Sequence, residues 1–223
     1  MKRDFCRFGP ITVLVALATC SPAHSAELEP ANGSAPQQKA VGTPLFNGTD
    51  LSGWEGDTEL WKVDDGMIIG DSPGISRNEF LATTRLFDDF ELTLEFRMHG
   101  GRGNSGIQFR SSRVQNSRAM VGYQADLGER FWGCLYDEHR RRKVLAAAPA
   151  ELNDVLDKQG WNTYVIRAKG DRVTLSINGL TTVDYTEEDE SIAKAGVIAL
   201  QIHSGPAMRI DFRNLQIREL ADD

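Results

Sequence analysis

The chain has 223 residues, of which 40% are hydrophobic and 26% charged, with 21 glycines, 8 prolines and 3 cysteines. This composition is that of an ordinary globular protein, and it excludes collagen-like, fully disordered and disulfide-scaffold classes. The formal charge of -7 supplies no general attraction to phosphate backbones or anionic lipid, so we expect no nucleic-acid partner.

The first segment, residues 1–26, has the features of a secretory signal peptide. Lys2 and Arg3 give it a positive start, residues 11–18 form a short apolar run, and small residues precede a cut after Ser25. The apolar run is shorter than the roughly 20 residues that span a bilayer, and no later segment approaches that length. We therefore expect an exported protein without a transmembrane segment, located in the periplasm or outside the cell.

An alternative signal ends at Cys20. The sequence before it resembles a bacterial lipoprotein signal, although Thr19 departs from the usual Gly, Ala or Ser, and it would make Cys20 a lipid anchor. Residues 27–43 are rich in Ala, Pro, Gln and Gly and are interpreted as a flexible tether. The folded domain is then 44–223. It contains Cys134 as its one cysteine, so its stability must come from core burial.

The folded part consists of short segments that alternate between apolar and polar residues. Residues 90–98 (FELTLEFRM) place Leu92, Leu94 and Phe96 on one face of a strand. The same alternation predicts strands at residues 106–110, 123–127, 161–168, 172–177, 180–185, 196–203 and 208–217.

Asn178-Gly179 separates two of these strands and predicts a two-residue type I′ hairpin, because both positions need positive φ. Helix is predicted only at 149–158 and 187–194, and both segments are short. Strands that do not alternate with long helices favour an antiparallel sheet over a parallel one. The fold class predicted from this pattern is an all-β sandwich of antiparallel sheets.

The alternation also predicts which side chains lie opposite the core. If Ile107 and Leu200 point inward, their neighbours along each strand point outward. The residues that we expect on the outer faces of these strands are Gln108, Arg110, Gln124, Asp126, Trp132, Tyr136, Glu138, Gln201 and His203. Amides and charged groups suit sugar hydroxyls, and aromatic rings pack on sugar C–H faces. The alternative is that these residues only face solvent.

Other motifs give weaker indications. Cys134 is interpreted as a small apolar filler, since no Cys–His spacing accompanies it. The glycine-rich 99–106 lacks a lysine and a following helix, so a connecting loop is favoured over a phosphate site. The basic run 139–143 is either a solvated turn or, through Arg140, an anchor for sugar oxygens. Zinc-protease, redox and hydrolase-elbow motifs (HExxH, CxxC, GxSxG) do not occur.

Several motifs together resemble the 3-keto-disaccharide hydrolase family. They are the opening LFNGTDLSGW at 45–54, NSGIQFR at 104–110, GWN at 160–162, ING at 177–179 and LQIH at 200–203. The resemblance covers residues 44–220 and implies a jelly-roll sandwich of two curved antiparallel sheets, related to concanavalin A-like lectins and glucanases. It also implies export and action on glycosides oxidised at C3.

One strand departs from the family pattern. The family has Tyr-Glu-x-Gln where this chain has Tyr123-Gln124-Ala125-Asp126. This exchange puts a carboxylate role at Gln124 in doubt, and such a role would pass to Asp126.

The chemistry implied by the resemblance starts from the ketone. A carbonyl at C3 acidifies the C2 hydrogen, so a base can remove it, the C1 substituent leaves by β-elimination, and water adds to the resulting enone. This requires a base, donors for the C3 oxyanion and an acid for the leaving oxygen. We expect Asp126 or His203 as base, Arg110 and Gln108 as oxyanion and hydroxyl ligands, and Glu138 as acid.

The remaining candidates are binding residues and a metal ion. Gln124, Gln201, Tyr136, Trp132 and Arg140 are expected to bind the sugar. A divalent cation held by Asp126, Glu138 and His203 is an alternative means of polarising the ketone. The competing function is a non-catalytic lectin-like carbohydrate-binding module, since the same fold serves both.

Overall fold

The computed structural model describes residues 42–221. The predicted signal peptide (1–26), the alternative anchor at Cys20 and nearly all of the tether (27–43) lie outside these residues. Within the described part, no helix has the length and apolar character needed to cross a membrane.

Residues 42–221 form fifteen strands and one short helix. The strands are β1 (Thr43–Pro44), β2 (Trp54–Glu55), β3 (Trp61–Asp64), β4 (Met67–Ile75), β5 (Glu79–Thr83), β6 (Phe90–Met98), β7 (Asn104–Arg113), β8 (Met120–Gly128), β9 (Leu135–Glu138), β10 (Lys143–Ala146), β11 (Asn162–Lys169), β12 (Arg172–Ile177), β13 (Leu180–Thr186), β14 (Val197–Ile202) and β15 (Gly205–Glu219). The helix, α1, is Leu152–Val155, and a 3-10 turn at His99–Gly101 joins β6 to β7.

These strands build two antiparallel sheets. The eight-stranded sheet has the order β13-β12-β11-β6-β15-β4-β3, and β1 pairs with β15. The seven-stranded sheet has the order β10-β9-β8-β7-β14-β5-β2. The prediction of an all-β antiparallel sandwich is therefore confirmed.

The core lies between the sheets and follows the alternation of the sequence. In β6, Phe90, Leu92, Leu94 and Phe96 are fully buried, and the residues between them are half-buried. Residues of β7 such as Ile107 belong to the same core from the other sheet. Each sheet therefore has one face in the core and one outer face.

The Asn178-Gly179 hairpin is also confirmed. Asn178 has φ 50° and Gly179 has φ 86°, and Ile177 pairs with Leu180 across the turn. The Asn178 side chain also fixes the turn to the rest of the sheet, because its Oδ1 accepts a 2.8 Å hydrogen bond from the Thr163 N–H.

The two helix predictions are wrong in extent. Of 149–158 only α1 is helical, and the chain leaves the helix at Leu156, where ψ is 119°. Residues 187–194 form no helix, because Asp189 uses its carboxylate to accept the N–H and the hydroxyl of Ser191. Such local side-chain bonds satisfy the backbone without a helical turn.

Candidate functional site

Three glutamines form a row on the outer face of the seven-stranded sheet. Gln108 on β7, Gln124 on β8 and Gln201 on β14 each lie between residues that belong to the core. Gln108 Nε2 donates to Gln124 Oε1 at 2.7 Å, and Gln124 Nε2 donates to Gln201 Oε1 at 3.2 Å. The strand alternation thus places these three side chains together as the sequence predicts.

Gly106 makes room for this row. It pairs with Asp126 in the β7–β8 register, and a Cβ at this position would lie 2.7 Å from three atoms of the Gln124 side chain. Because Gly106 has no side chain, Gln124 can lie across β7 and reach Gln201 on the next strand. The glycine of the Asn104-Ser105-Gly106 motif is therefore the floor of the site.

Asp126 lies beside this row and is nearly fully buried, with 4% of its surface exposed. Burial raises the pKa of its carboxyl to about 8, which the Leu127 N–H and the Gln124 amide only partly oppose by hydrogen bonding. In residues 42–221, no Lys, Arg or His side chain forms an ion pair with it. Asp126 therefore holds its proton at neutral pH, as a group suited to acid catalysis does.

Glu138 lies on the neighbouring strand β9 at some distance from Asp126. Its register partner on β8 is Gly122, four residues before Asp126, which is about 13 Å along the strand. Burial raises the pKa of Glu138, and the nearby His139, His203 and Arg142 oppose this rise. The two carboxyl groups share one face without a hydrogen bond between them, and the charge of Glu138 adds to the rise in the pKa of Asp126.

His203 follows Gln201 by two residues, at the end of β14. Its Nδ1 lies 2.7 Å from the backbone oxygen of Ser204. Because a carbonyl can only accept, Nδ1 must carry the proton, and Nε2 of the neutral ring keeps its lone pair. The structure thus gives His203 the tautomer that a general base requires.

Aromatic and apolar groups border the amide row. Tyr136 pairs with Gln124 in the β8–β9 register and makes an edge contact with Phe131, with 6.3 Å between ring centroids. Phe80 pairs with Gln201 on the other side and belongs to a small apolar cluster with Ala199. The face therefore offers amides flanked by rings, as sugar binding requires.

A cleft opens at the rim of this sheet. It is lined by Arg77, Asn78, Asn116, Ser117, Arg118, Ala119, His139 and Ser204. Asn78 contributes to its shape, because its Oδ1 accepts a 2.8 Å hydrogen bond from the Ser204 N–H.

The predicted outward orientation of Arg110 is wrong. The β7–β8 register shifts between Phe109 and Ser112, and Arg110 itself has φ 46°, so the strand alternation fails here. Its guanidinium donates to Asp89 Oδ1 at 2.6 Å and to the Gly170 backbone oxygen at 2.7 Å. Arg110 therefore ties the two sheets together at one end and is not placed to hold a substrate oxyanion.

Trp132 and Arg140 also lie off the outer face. Trp132 belongs to the core and stacks on Phe96 at 6.2 Å, because the chain turns before β9 begins. The orientation predicted from its shared parity with Tyr136 is therefore wrong. Arg140 lies 4.6 Å above the Tyr123 ring and 3.0 Å from Asp137, so its charge is already paired.

A second cluster holds the turn that carries His139. Glu187 Oε2 accepts hydrogen bonds from Tyr123 and Arg141, both at 2.6 Å, and from Tyr185 at 3.2 Å. Although burial opposes it, these bonds lower the pKa of Glu187 to about 2. The loop after β13 is thereby fixed to the β9–β10 turn.

No metal centre is assembled from the predicted ligands. Within residues 42–221, no group of three or more His, Cys, Asp or Glu side chains is placed to hold a metal ion. Asp126, Glu138 and His203 share the outer face without forming such a group, so no step is assigned to a cation.

Strand alternation does not reveal Phe80, Arg77 or the position of His139. Phe80 lies in β5, where all five residues are buried, so the alternation signal is lost. Arg77 lies in the turn before β5, and nothing in its sequence neighbourhood marks it. The basic run 139–143 was a usable signal for His139, which lies 3.5 Å from Glu138 Oε1.

Comparison with known proteins gives one family. A family model described as a 3-keto-alpha-glucoside-1,2-lyase-like domain matches residues 42–218. No curated protein matches the chain.

Solved structures share the fold at low sequence identity. A candidate glycosyl hydrolase from Parabacteroides distasonis is 20% identical, with TM-score 0.64, over 81% of this chain and 94% of that one. A carbohydrate-binding module from Bacillus subtilis is 19% identical, with TM-score 0.59, over 75% and 96%. A Bacillus subtilis protein of galectin-like fold is 14% identical, with TM-score 0.57, over 76% and 90%. These similarities confirm the predicted lectin-type jelly-roll architecture.

Proposed function

The chain belongs to the family of 3-keto-alpha-glucoside-1,2-lyase-like domains, and on that premise we propose that it cleaves glycosides already oxidised to a ketone at C3. The substrate would bind on the outer face of the seven-stranded sheet, over the row of three glutamines. One observation carries this proposal: Asp126, a buried carboxyl without a cationic partner among the described residues, lies beside hydrogen-bonding amides on the same face as His203.

The reaction we propose is elimination followed by hydration. A base removes the proton from C2, and the electron pair forms an enolate with its charge on the C3 oxygen. The enolate then collapses to a C1=C2 double bond conjugated with the ketone, and the C1–O bond breaks. An acid protonates the leaving oxygen, and water adds at C1 to complete a net hydrolysis.

We assign the base role to His203. Its Nδ1–H is held by the Ser204 carbonyl, so Nε2 is available to accept the C2 proton. Asp126 is the alternative base expected from the sequence, but a carboxyl with a pKa near 8 is mostly protonated at neutral pH. The tautomer of His203 therefore favours the histidine.

We assign the acid role to Asp126. The proton that its raised pKa retains is the one the leaving oxygen needs. Glu138, the acid expected from the sequence, is the alternative, because burial raises its pKa as well and His203 is among the charges that act on it. Neither the base role of His203 nor the acid role of Asp126 requires an ion pair. This is consistent with the lack of a cationic partner for Asp126 among residues 42–221.

Aglycone release from a 3-keto-glucoside and from its unoxidised parent tests this proposal. We expect release from the ketone alone, and loss of about 100-fold or more in rate for Asp126→Asn and for His203→Gln. His99→Gln, in the histidine of the 3-10 turn after β6, is the matched control and should retain the rate. Release from both substrates, or full activity of both variants, would contradict the elimination. Loss of release with a chelator would support the divalent-cation alternative.

A non-catalytic carbohydrate-binding module is the second candidate. It is favoured by the similarity to the Bacillus subtilis carbohydrate-binding module, since one fold serves both functions. In that case the chain would bind a glycan without releasing an aglycone, and Asp126→Asn would leave the affinity unchanged.

Export remains part of the proposal. It rests on the basic start, the apolar run and the small residues of 1–26, with acylation at Cys20 as the alternative. The mass of the N-terminal peptide of the secreted protein distinguishes the two, because a cut after Ser25 removes Cys20.

A further inference from the structure

The hydrogen bonds of the glutamine row all run in one direction. Ser111 Oγ donates to Gln108 Oε1 at 2.7 Å, Gln108 Nε2 donates to Gln124 Oε1 at 2.7 Å, and Gln124 Nε2 donates to Gln201 Oε1 at 3.2 Å. Gln108 and Gln124 therefore each accept on one side and donate on the other, and Gln201 accepts. We call this series, Ser111–Gln108–Gln124–Gln201, the amide chain.

The amide chain ends on a donor without an acceptor. Gln201 is fully buried, and its Nε2 has no hydrogen-bond partner among residues 42–221. Burying an unpaired donor is unfavourable, so native proteins rarely leave one without a reason. A ligand oxygen that accepts from Nε2 would supply that reason.

The direction of the amide chain is fixed by its neighbours. The Gln124 amide also donates a hydrogen bond to the Asp126 carboxyl. This bond orients Gln124 Nε2 toward Asp126 and Gln201. To reverse the amide chain, all three amides must turn together, and Gln124 would lose the hydrogen bond that it donates to the Asp126 carboxyl. A donor, and not a carbonyl, is therefore presented at the Gln201 end.

A free amide N–H group distinguishes a ketone from an alcohol. A ketone oxygen only accepts hydrogen bonds, so a single donor satisfies it. A hydroxyl group also carries a proton, which needs an acceptor of its own. The Oε1 atom of Gln201 already accepts from Gln124. The end of the amide chain therefore suits a carbonyl oxygen.

We propose that Gln201 is the specificity-determining residue of the site, and that its Nε2 donates to the C3 carbonyl oxygen of the substrate. This rests on the proposed function, because the C3 ketone is the substrate feature that it names. As the C2 proton leaves, negative charge develops on that oxygen, and the hydrogen bond strengthens. Aligned amides polarise one another, so the upstream residues of the amide chain contribute to the same donor.

Binding of non-cleavable ligands tests this proposal apart from catalysis. A 3-keto C-glucoside and its 3-hydroxy parent both carry a carbon at C1 that cannot leave, and calorimetry gives the ratio of their affinities. For the wild-type chain we expect the ketone to bind about tenfold more tightly, which is the effect of one additional hydrogen bond.

Gln201→Glu keeps the shape of the side chain and replaces the donor by an acceptor. We expect it to bring the affinity ratio to about one or below, mainly by weakening the ketone. Ser111→Ala removes the first bond of the amide chain and should lower the ratio by a smaller factor. Gln216→Glu, in the outward-facing glutamine of β15 on the other sheet, is the matched control and should leave the ratio unchanged.

The outcomes separate this proposal from the proposed function. If Gln201→Glu binds both ligands with the wild-type ratio, the role of Gln201 is wrong even where aglycone release proceeds. If the ratio collapses while the wild-type chain releases no aglycone, the role of Gln201 stands and the function is binding alone. If the wild-type chain binds neither ligand, both proposals fall. Should Gln201→Glu not fold, the ratio in Ser111→Ala decides.

Discussion

Two buried aspartates, one on the outer face of each sheet, have opposite surroundings. Asp211 on β15 has a fully buried side chain with Arg97 Nη2 at 2.8 Å, His99 Nε2 at 2.6 Å and Arg209 Nε at 2.9 Å. Although burial opposes it, these partners lower the pKa of Asp211. Asp126 on β8 is also buried but has no such partner among residues 42–221, and burial raises its pKa to about 8.

The difference shows how a buried charge contributes to a fold or to a site. Two guanidinium groups and the His99 ring make the ionised form of Asp211 the stable one, so it contributes to structure. The ionised form of Asp126 is unfavourable in the folded protein, which lowers stability wherever the carboxyl must ionise. Uncompensated groups of this kind concentrate at functional sites.

Asp126→Asn should stabilise the protein at high pH. The folded state keeps the Asp126 proton up to about pH 8, whereas the unfolded chain loses it near pH 4. Wild-type stability therefore falls as the pH rises between these values, and the variant lacks that fall. Denaturant unfolding should show the variant more stable by about 3–5 kcal/mol at pH 9 and similar to wild type at pH 4. A destabilised variant at pH 9 would show that Asp126 is compensated.

Asp211→Asn should destabilise the protein at neutral pH. It leaves Arg97, His99 and Arg209 without their shared carboxylate, at a cost of about 2–4 kcal/mol. Because the folded pKa of Asp211 is lowered, its contribution is present above the unfolded value of about 4 and is lost as the pH falls through the folded value. The advantage of wild type over the variant should therefore shrink in acid. Equal stabilities at pH 7 would contradict the structural role.

Glu187→Gln tests the cluster that holds the β9–β10 turn. The variant loses the charge that Arg141 and Tyr123 contact at 2.6 Å, and we expect a cost of about 1–2 kcal/mol near pH 7. The lowered pKa of Glu187 means that this contribution is present above about pH 4.5 and is lost as the pH falls toward 2. Chemical denaturation at pH 7 and pH 3 measures both values. An unchanged midpoint at pH 7 would show that other contacts hold the turn.

The smallest effect is expected at Cys134. Its thiol is buried, and burial raises its pKa to about 12, so thiolate is absent at neutral pH. A thiol reagent should label it in denaturant and not in the native protein. Cys134→Ala should change the stability by about 1 kcal/mol and leave aglycone release unchanged. Rapid native labelling would contradict the interpretation of this cysteine as an apolar filler.

The sequence alone predicts the sheets and most of the outer face, because strand alternation is a local property. Gln108, Gln124, Asp126, Gln201 and His203 lie where their parity places them. Alternation also predicts the core side of β6, where apolar residues recur at every second position.

Arg110 and Trp132 show where this reasoning stops. One register shift at Arg110 turns its side chain to the end of the sandwich, and nothing in NSGIQFR marks that shift. Trp132 lies in a turn before β9, so parity counted along residues 131–138 does not apply to it. The unpaired donor of Gln201 was also beyond the sequence, since it depends on partners from three strands.

The protonation of Asp126 and its response to substrate are the most direct test of the proposed site. Carbon-13 NMR of the aspartate carboxyl groups, assigned with Asp126→Asn and Asp211→Asn, follows both residues across pH. We expect the Asp126 carboxyl to titrate near pH 8 and to shift when the 3-keto C-glucoside binds, with Asp211 below its ordinary value and unaffected. A midpoint for Asp126 near pH 4 that the ligand does not change would contradict the assignment of the site.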